Sequence, residues 1–288
     1  MAGLLPVAEK VARFALNRRG LASRSVHTDV GHVHVYDGQG GGELPPVVML
    51  HGLGSAATPF GPVLARIHRH ARRVIAPEMP GHGFSDAPSR RLTPDVLFDT
   101  MKSALDHLVD EPAIVCGNSL GGGVALRYAL DRPEKVRALV LLSPAGARVT
   151  DEELDALRRT FDMGSSRDAV AFMERVYHRP PWFAPFVAGE LRERMRNPAV
   201  RDLLLHATPD HAPTPAELAS LEMPVLLLWG RSERLLPSSA LAWFQEHLPG
   251  HAVIEEPEGV GHCPHFDDPK SLADRIVRFA RDVHANAK

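Results

Sequence analysis

The sequence predicts an α/β fold: a mostly parallel sheet with helices on its faces. Two patterns carry this reading. Short apolar runs at 46–50, 73–76, 113–116, 136–142 and 225–229 are closed by turn residues, as strands buried on both faces are. Helical patterns, such as 95–109 and 120–130, separate most of them, so strand, helix and strand alternate as in right-handed βαβ units. Size and composition agree. The chain has 288 residues, 44% hydrophobic and 24% charged, enough for one large domain with a sizeable core.

From the N-terminus, Leu4, Leu5, Ala8, Val11, Ala12, Ala15 and Leu16 recur at helical spacing, with Glu9, Lys10, Arg13, Arg18 and Arg19 between them. These charges interrupt any signal-peptide core, and no window is long enough to span a membrane. Residues 1–24 are expected to form an amphipathic helix packed on its own domain, with weak contact to a membrane surface as the alternative. The segment His32-Val33-His34-Val35-Tyr36 alternates like a half-exposed antiparallel strand, and Gly38 to Gly42 reads as a turn.

The strand–helix alternation stops between about Val149 and Leu221. Asp151-Glu152-Glu153-Leu154 opens a helical run there, and Pro180-Pro181-Trp182 and 191–195 follow with no strand pattern. The expected organisation is an N-terminal helix at 1–24, a core of 25–148 and 222–288, and a helical insertion at 149–221.

Several function classes drop out on composition. Net charge is -2, from 33 basic and 35 acidic residues, so no long-range field favours nucleic acid. The 16 histidines are scattered, with no H-E-x-x-H and no Cys/His ligand spacing, so neither a metal nor a cofactor is expected. Cys116 and Cys263 do not make a disulfide framework and suit a reducing cytoplasm.

The strongest motif is Gly117-Asn118-Ser119-Leu120-Gly121, between the apolar run 113–116 and the helical run that follows. A tight strand-to-helix turn would push the Ser119 hydroxyl out at the sheet edge, with the Leu120 N–H at the helix start aimed where an oxyanion forms. A serine hydroxyl needs a base. His262 follows the strand-like 252–255 and a glycine, which favours it over its neighbour His265. The orienting carboxylate is expected at Glu233, the first acid beyond 225–229, completing the order serine, acid, histidine. A surface charge paired with Arg231 or Arg234 is the competing reading. His51-Gly52-Leu53-Gly54 follows the run 46–50, so the Leu53 N–H is the second expected oxyanion donor, with His51 bracing the loop.

Taken together, His51-Gly52-Leu53-Gly54, Pro77-Glu78-Met79-Pro80-Gly81-His82-Gly83-Phe84-Ser85, Gly117-Asn118-Ser119-Leu120-Gly121-Gly122, Trp229-Gly230-Arg231-Ser232-Glu233 and Gly261-His262 resemble the α/β-hydrolase superfamily, in family order from about residue 30 onward. The resemblance implies an eight-stranded, mostly parallel sheet with a helical lid between strands 6 and 7, where the insertion falls. It also implies a Ser119 nucleophile, a His262 base and an oxyanion hole at Leu53 and Leu120. The chain departs from the family at Glu233, where aspartate is usual, and at Glu78.

Serine at 119 excludes the branches with an aspartate nucleophile. The carboxylesterase and monoacylglycerol-lipase-like branch is favoured, so the expected activity is cleavage of small or lipid-like carboxylic esters through an acyl-enzyme. Meta-cleavage C–C hydrolases are the alternative, although they usually carry tryptophan directly after the histidine, where this chain has Cys263. A ligand-binding scaffold without catalysis is the third reading. The insertion's Phe161, Phe172, Met173, Trp182, Phe183 and Phe186 would offer an apolar acyl pocket, but none is assigned a contact.

Overall fold

A computed structural model describes residues 3–285; Met1 and Ala2 of the expected N-terminal segment, and 286–288 of the expected core, lie outside the described residues. The chain runs α1 (Leu4–Arg18), β1 (Ala22–Thr28), β2 (Gly31–Gln39), β3 (Val47–Leu50), α2 (Gly61–Ile67), β4 (Arg73–Pro77), α3 (Pro94–Leu108), β5 (Ala113–Asn118), α4 (Leu120–Asp131) and β6 (Val136–Leu142). Five helices follow without a strand: α5 (Asp151–Phe161), α6 (Ser166–Val176), α7 (Ala184–Met195), α8 (Pro198–His206) and α9 (Pro215–Ala219). Then come β7 (Val225–Leu228), α10 (Ser238–His247), β8 (Val253–Glu255), α11 (Pro264–Asp267) and α12 (Pro269–Ala285).

The eight strands form one sheet in the order β1-β2-β4-β3-β5-β6-β7-β8. β1 and β2, and β2 and β4, pair antiparallel; every other pair is parallel. The chain therefore reverses its direction of winding between β3 and β5, which opens a crevice at their C-terminal ends. Register aligns those ends. Leu50 stands opposite Gly117, Asn118 opposite Leu142, Leu142 opposite Leu228, and Leu228 opposite Glu255. Loops leaving β3, β5, β7 and β8 thus converge on one edge.

Strands β2 to β7 feed both faces. In β3, Val48 and Leu50 join the core under α3, α4 and α10, while Val47 and Met49 join the core under α1, α2 and α12. A third apolar cluster, with Phe161, Phe172, Met173, Val187 and Val200, holds α5 to α8 together, while Leu218 of α9 packs into the first core. Three of the inserted helices are started by reciprocal caps: Thr150 with Glu153 at α5, Ser165 with Asp168 at α6, and Thr214 with Glu217 at α9.

Three local expectations change. β2 is largely buried rather than half exposed, because β1 and β4 flank it and Arg73 neutralises its Asp37 through two hydrogen bonds of 2.8 and 2.9 Å. Gly38 belongs to β2 rather than to a turn, and its missing side chain has a steric reason: a Cβ there would lie 2.1 Å from the Gly20 carbonyl oxygen. Trp182 and Phe186 lie on the surface, 84% and 69% exposed, so they line no acyl pocket.

Candidate active site

Ser119 sits between β5 and α4 with φ 52° and ψ -121°, a conformation that side chains rarely adopt and that the surrounding turn must impose. The glycines permit it by close approach. A Cβ on Gly117 would lie 2.1 Å from the Gly121 oxygen, and one on Gly121 would lie 2.4 Å from the Leu50 oxygen. Gly52 comes up against Ser119 in turn, where an added Cβ would lie 3.3 Å from the serine Cβ. The loop after β3 is thereby pressed onto the β5–α4 turn.

That loop is braced by His51, which is buried between two backbone groups. Its Nε2 accepts from the Met79 N–H at 3.0 Å, so its Nδ1 carries the proton and donates to the Gly52 carbonyl at 2.8 Å. Burial lowers its pKa from the usual histidine value and keeps it neutral. Glu78, which the sequence left without a role, is fully buried below the same loop. Its carboxylate accepts from Ala57 N–H at 3.0 Å and Phe84 N–H at 2.6 Å, with His34 Nδ1 at 3.0 Å. Burial pushes that carboxyl upward, but the hydrogen bonds from His34 and Phe84 outweigh it and leave the pKa lowered. Glu78 is a buried strut for the loop.

Neither the Leu53 N–H nor the Leu120 N–H donates to a protein acceptor among the described residues. Leu120 opens α4, where the first amides of a helix have no intrahelical partner. Both residues flank the Ser119 turn.

Past β7, Glu233 is buried. Its Oε1 accepts from Leu235 N–H (2.8 Å) and Leu236 N–H (3.1 Å), and its Oε2 faces His262 Nδ1 at 2.7 Å. The side chains of His262 and Glu233 are 4% and 3% exposed. Burial favours the neutral acid, yet the His262 ring and the backbone N–H groups prevail and hold the carboxyl below its ordinary range. Glu233 is therefore an ionised partner of His262 rather than a surface charge. Arg231 pairs with Glu258, and Arg234 donates to Tyr177 and His178 carbonyls. His265, the rival base, lies elsewhere: buried, and stacked on Phe60 with ring centroids 4.1 Å apart.

Ser119 and His262 line one cavity of about 530 Å³, together with Leu53, Asn118, Phe172 and Met173. A second cavity of about 180 Å³, almost wholly apolar, also reaches Ser119 and Leu53, between Pro144, Val149, Leu154 and Leu203. His262 borders only the first.

Two positioning residues are not evident from the motifs. Asn118 donates through Nδ2 to the carbonyls of Leu142 (3.0 Å) and His262 (2.9 Å), tying the histidine loop to the serine turn. Asp267 accepts from Gly261 N–H (2.8 Å) and His178 N–H (3.0 Å), linking the same loop to the segment after α6, and burial raises its pKa. Their partners are backbone groups, all but Gly261 remote in sequence, so no spacing announces them. Among the described residues no cluster of three or more His, Cys, Asp or Glu is placed to hold a metal ion.

This geometry has relatives. A family model described as the α/β-hydrolase fold matches residues 45–269. The chain is 32% identical over 262 residues to a 2-hydroxymuconate semialdehyde hydrolase of Pseudomonas sp. strain CF600, covering 84% of this chain and 89% of that one. It is 31% identical to a pimeloyl-(acyl-carrier protein) methyl ester esterase of Aromatoleum aromaticum, covering 82% and 98%. Among solved structures, a bacterial membrane phospholipase A superposes with a TM-score of 0.79 at 25% identity, covering 98% of this chain and 91% of that one. The sheet order, the strained serine turn and these matches together make the chain a member of the α/β-hydrolase fold family, a hydrolase with esterase, lipase and C–C hydrolase relatives.

Proposed function

We propose that this hydrolase cleaves carboxylic esters by two-step acyl transfer at Ser119. The observation that carries the reading is the buried His262–Glu233 pair opening onto the cavity that holds Ser119. With Nδ1 donating to an ionised Glu233, the free Nε2 is an acceptor for the serine proton. Ser119 Oγ attacks the ester carbonyl, the oxyanion rests on the Leu53 and Leu120 N–H groups, and His262 passes the proton to the departing alcohol oxygen. Water then attacks the acyl-serine, His262 takes its proton, and the acid leaves with Ser119 restored. The net reaction is ester plus water to acid plus alcohol, with no cofactor.

The two cavities divide the substrate. A general acid must lie within hydrogen-bond reach of the leaving oxygen. Because His262 borders only the larger cavity, the alcohol portion belongs there and the acyl chain belongs in the apolar 180 Å³ cavity. That cavity has room for about six water-sized groups, each near the size of a methylene, so short to medium acyl chains fit. Helices α5–α9 act as the lid over both arms, with 25–148 and 222–288 as the catalytic core. Among the described residues no helix is long and apolar enough to cross a membrane. We place the protein in the cytoplasm, where its two cysteines stay reduced.

A series of p-nitrophenyl esters of rising acyl length tests the reading. Turnover should peak at short to medium chains and fall steeply beyond the cavity's capacity, and a fluorophosphonate should leave its adduct on Ser119. The likeness to a 2-hydroxymuconate semialdehyde hydrolase favours C–C cleavage as a second reading. Bleaching of a coloured ring-fission product at a rate above that of every ester would install it instead.

A further inference from the structure

Helix α1 presents apolar side chains on two opposite sides. Its inner side places Leu5 and Ala12 against the larger cavity and Leu16 in the core. Its outer side carries Leu4, Val7, Val11 and Phe14, spaced three, four and three residues apart, which aligns them in one stripe. They are 58%, 47%, 63% and 65% exposed. Nothing in the domain's own packing calls for that stripe, and a run of large apolar side chains held in water marks an interaction surface.

A second apolar group adjoins it. Trp182 is 84% exposed and stacks edge-on against Phe183 and Phe186 just before and within α7. The two groups are joined by fixed contacts: Leu4 and Leu5 N–H donate to the Glu190 carboxylate at 2.7 Å each, and Arg194 pairs with Glu9 at 2.7 Å. Phe186 lies one turn before Glu190 on the same side of α7, which sets the aromatic group on the helix that holds the start of α1. Both groups border the Ser119 cavity, whose lining includes Leu5 and Ala8 of α1 and Pro181 and Phe183 beside α7.

Charge decides what covers this surface. Lys10 and Arg18 flank the stripe and Arg179 stands at the cavity rim; all three are exposed, and none has a carboxylate partner among the described residues. A second copy of the chain packed about a twofold axis would bring these cations together, whereas anionic headgroups neutralise them.

We propose that the outer face of α1 and the Trp182–Phe186 aromatic group dock on an anionic lipid surface, holding the mouth of the Ser119 cavity against the bilayer. Substrates would then be acyl esters resident in the lipid, drawn into the cavity without crossing water. That last point rests on the ester chemistry above; the docking does not.

The test is flotation of the full chain, carrying Ser119→Ala, with phosphatidylcholine vesicles prepared with and without phosphatidylglycerol. The chain should float with the anionic vesicles at least about tenfold better than with the neutral ones. Trp182 emission should shift to the blue and be quenched by brominated acyl chains, with Trp182→Phe identifying the signal. Val11→Ser with Phe14→Ser, and separately Phe186→Ser, should each cut binding at least about tenfold. In the Ser119 background, the same changes should leave the melting temperature and turnover of a soluble short-chain ester unchanged. Absence of flotation with both vesicle types overturns the proposal. So does a dimer in solution that those substitutions split while vesicles remain unbound, since a second copy would then own the surface. Loss of ester turnover with flotation intact would instead remove the ester reading and leave the docking standing.

Discussion

His262 is useful as a base only in one tautomer, and Glu233 is what selects it. One carboxylate oxygen is occupied by the Leu235 and Leu236 N–H groups, so the other is aimed at His262 Nδ1. A glutamine would keep its oxygen on those two amides and turn its NH₂ toward the ring. Nδ1 must then accept, the ring proton moves to Nε2, and Nε2 can no longer take the serine proton. Glu233→Gln should therefore fold normally and lower kcat on a p-nitrophenyl ester by about 10²- to 10⁴-fold, with little change in KM. Near-wild-type turnover in steady-state kinetics would show that a different carboxylate orients the base. The extra methylene of glutamate is accommodated because the chain folds back over its own head group, bonding amides two and three residues ahead.

At the scale of elements, steric fit between backbones decides what glycine does. Gly121, the second residue of α4, lies against the end of β3, and a Cβ there would meet two carbonyl oxygens, those of Leu50 at 2.4 Å and His51 at 2.5 Å. Neither can swing away, so Gly121→Ala should part the serine turn from the His51–Leu53 loop. The expected result is more than tenfold lower kcat/KM and about 1–3 kcal/mol of lost stability. Gly189, inside α7, has nothing within 4 Å of such a Cβ. Gly189→Ala should stabilise by about 0.5–1 kcal/mol through helix propensity alone. Urea melts of the two variants should move in opposite directions; movement in the same direction would refute the steric account.

The same scale explains what could be read in advance. Strands β3 to β7 are legible because burial on both faces demands unbroken apolar runs. Strand β1 is not, since it is an edge strand whose Ala-Ser-Arg-Ser-Val-His-Thr mostly faces water. Ser119, Glu233 and His262 are legible as candidates because each lies within a few residues of a strand end. Asn118 and Asp267 are silent because they act on carbonyl and N–H groups that every residue has. The inserted helices show their caps in the sequence, but not which aromatics turn outward, which depends on tertiary packing of α7 against α1.

Across the whole molecule, buried imidazoles set the response to acid. His82 and His265 are enclosed, and burial pushes both down to about 3; His51 is lowered for the same reason. In the unfolded chain these rings titrate near 6.5. Between about pH 6.5 and 3 the unfolded state therefore binds protons that the folded state refuses, so stability falls as pH drops through that window, by about 1.4 kcal/mol per pH unit for each ring fully engaged. Buried Glu78 and Glu233, held below the ordinary carboxylate range, add their loss only at lower pH, as their folded-state values are reached. His265 is the ring to change, because neither of its nitrogens has a protein partner among the described residues and it already stacks between Phe60 and Phe266. His265→Phe should forfeit no hydrogen bond and remove one proton from the difference. Unfolding free energies from urea melts at pH 5 to 7.5 should fall less steeply for the variant, by about 1.4 kcal/mol per pH unit at the acid end, with the two curves converging toward neutral pH. Parallel curves would mean that His265 carries no part of the acid sensitivity and that the burden lies with His51 and His82.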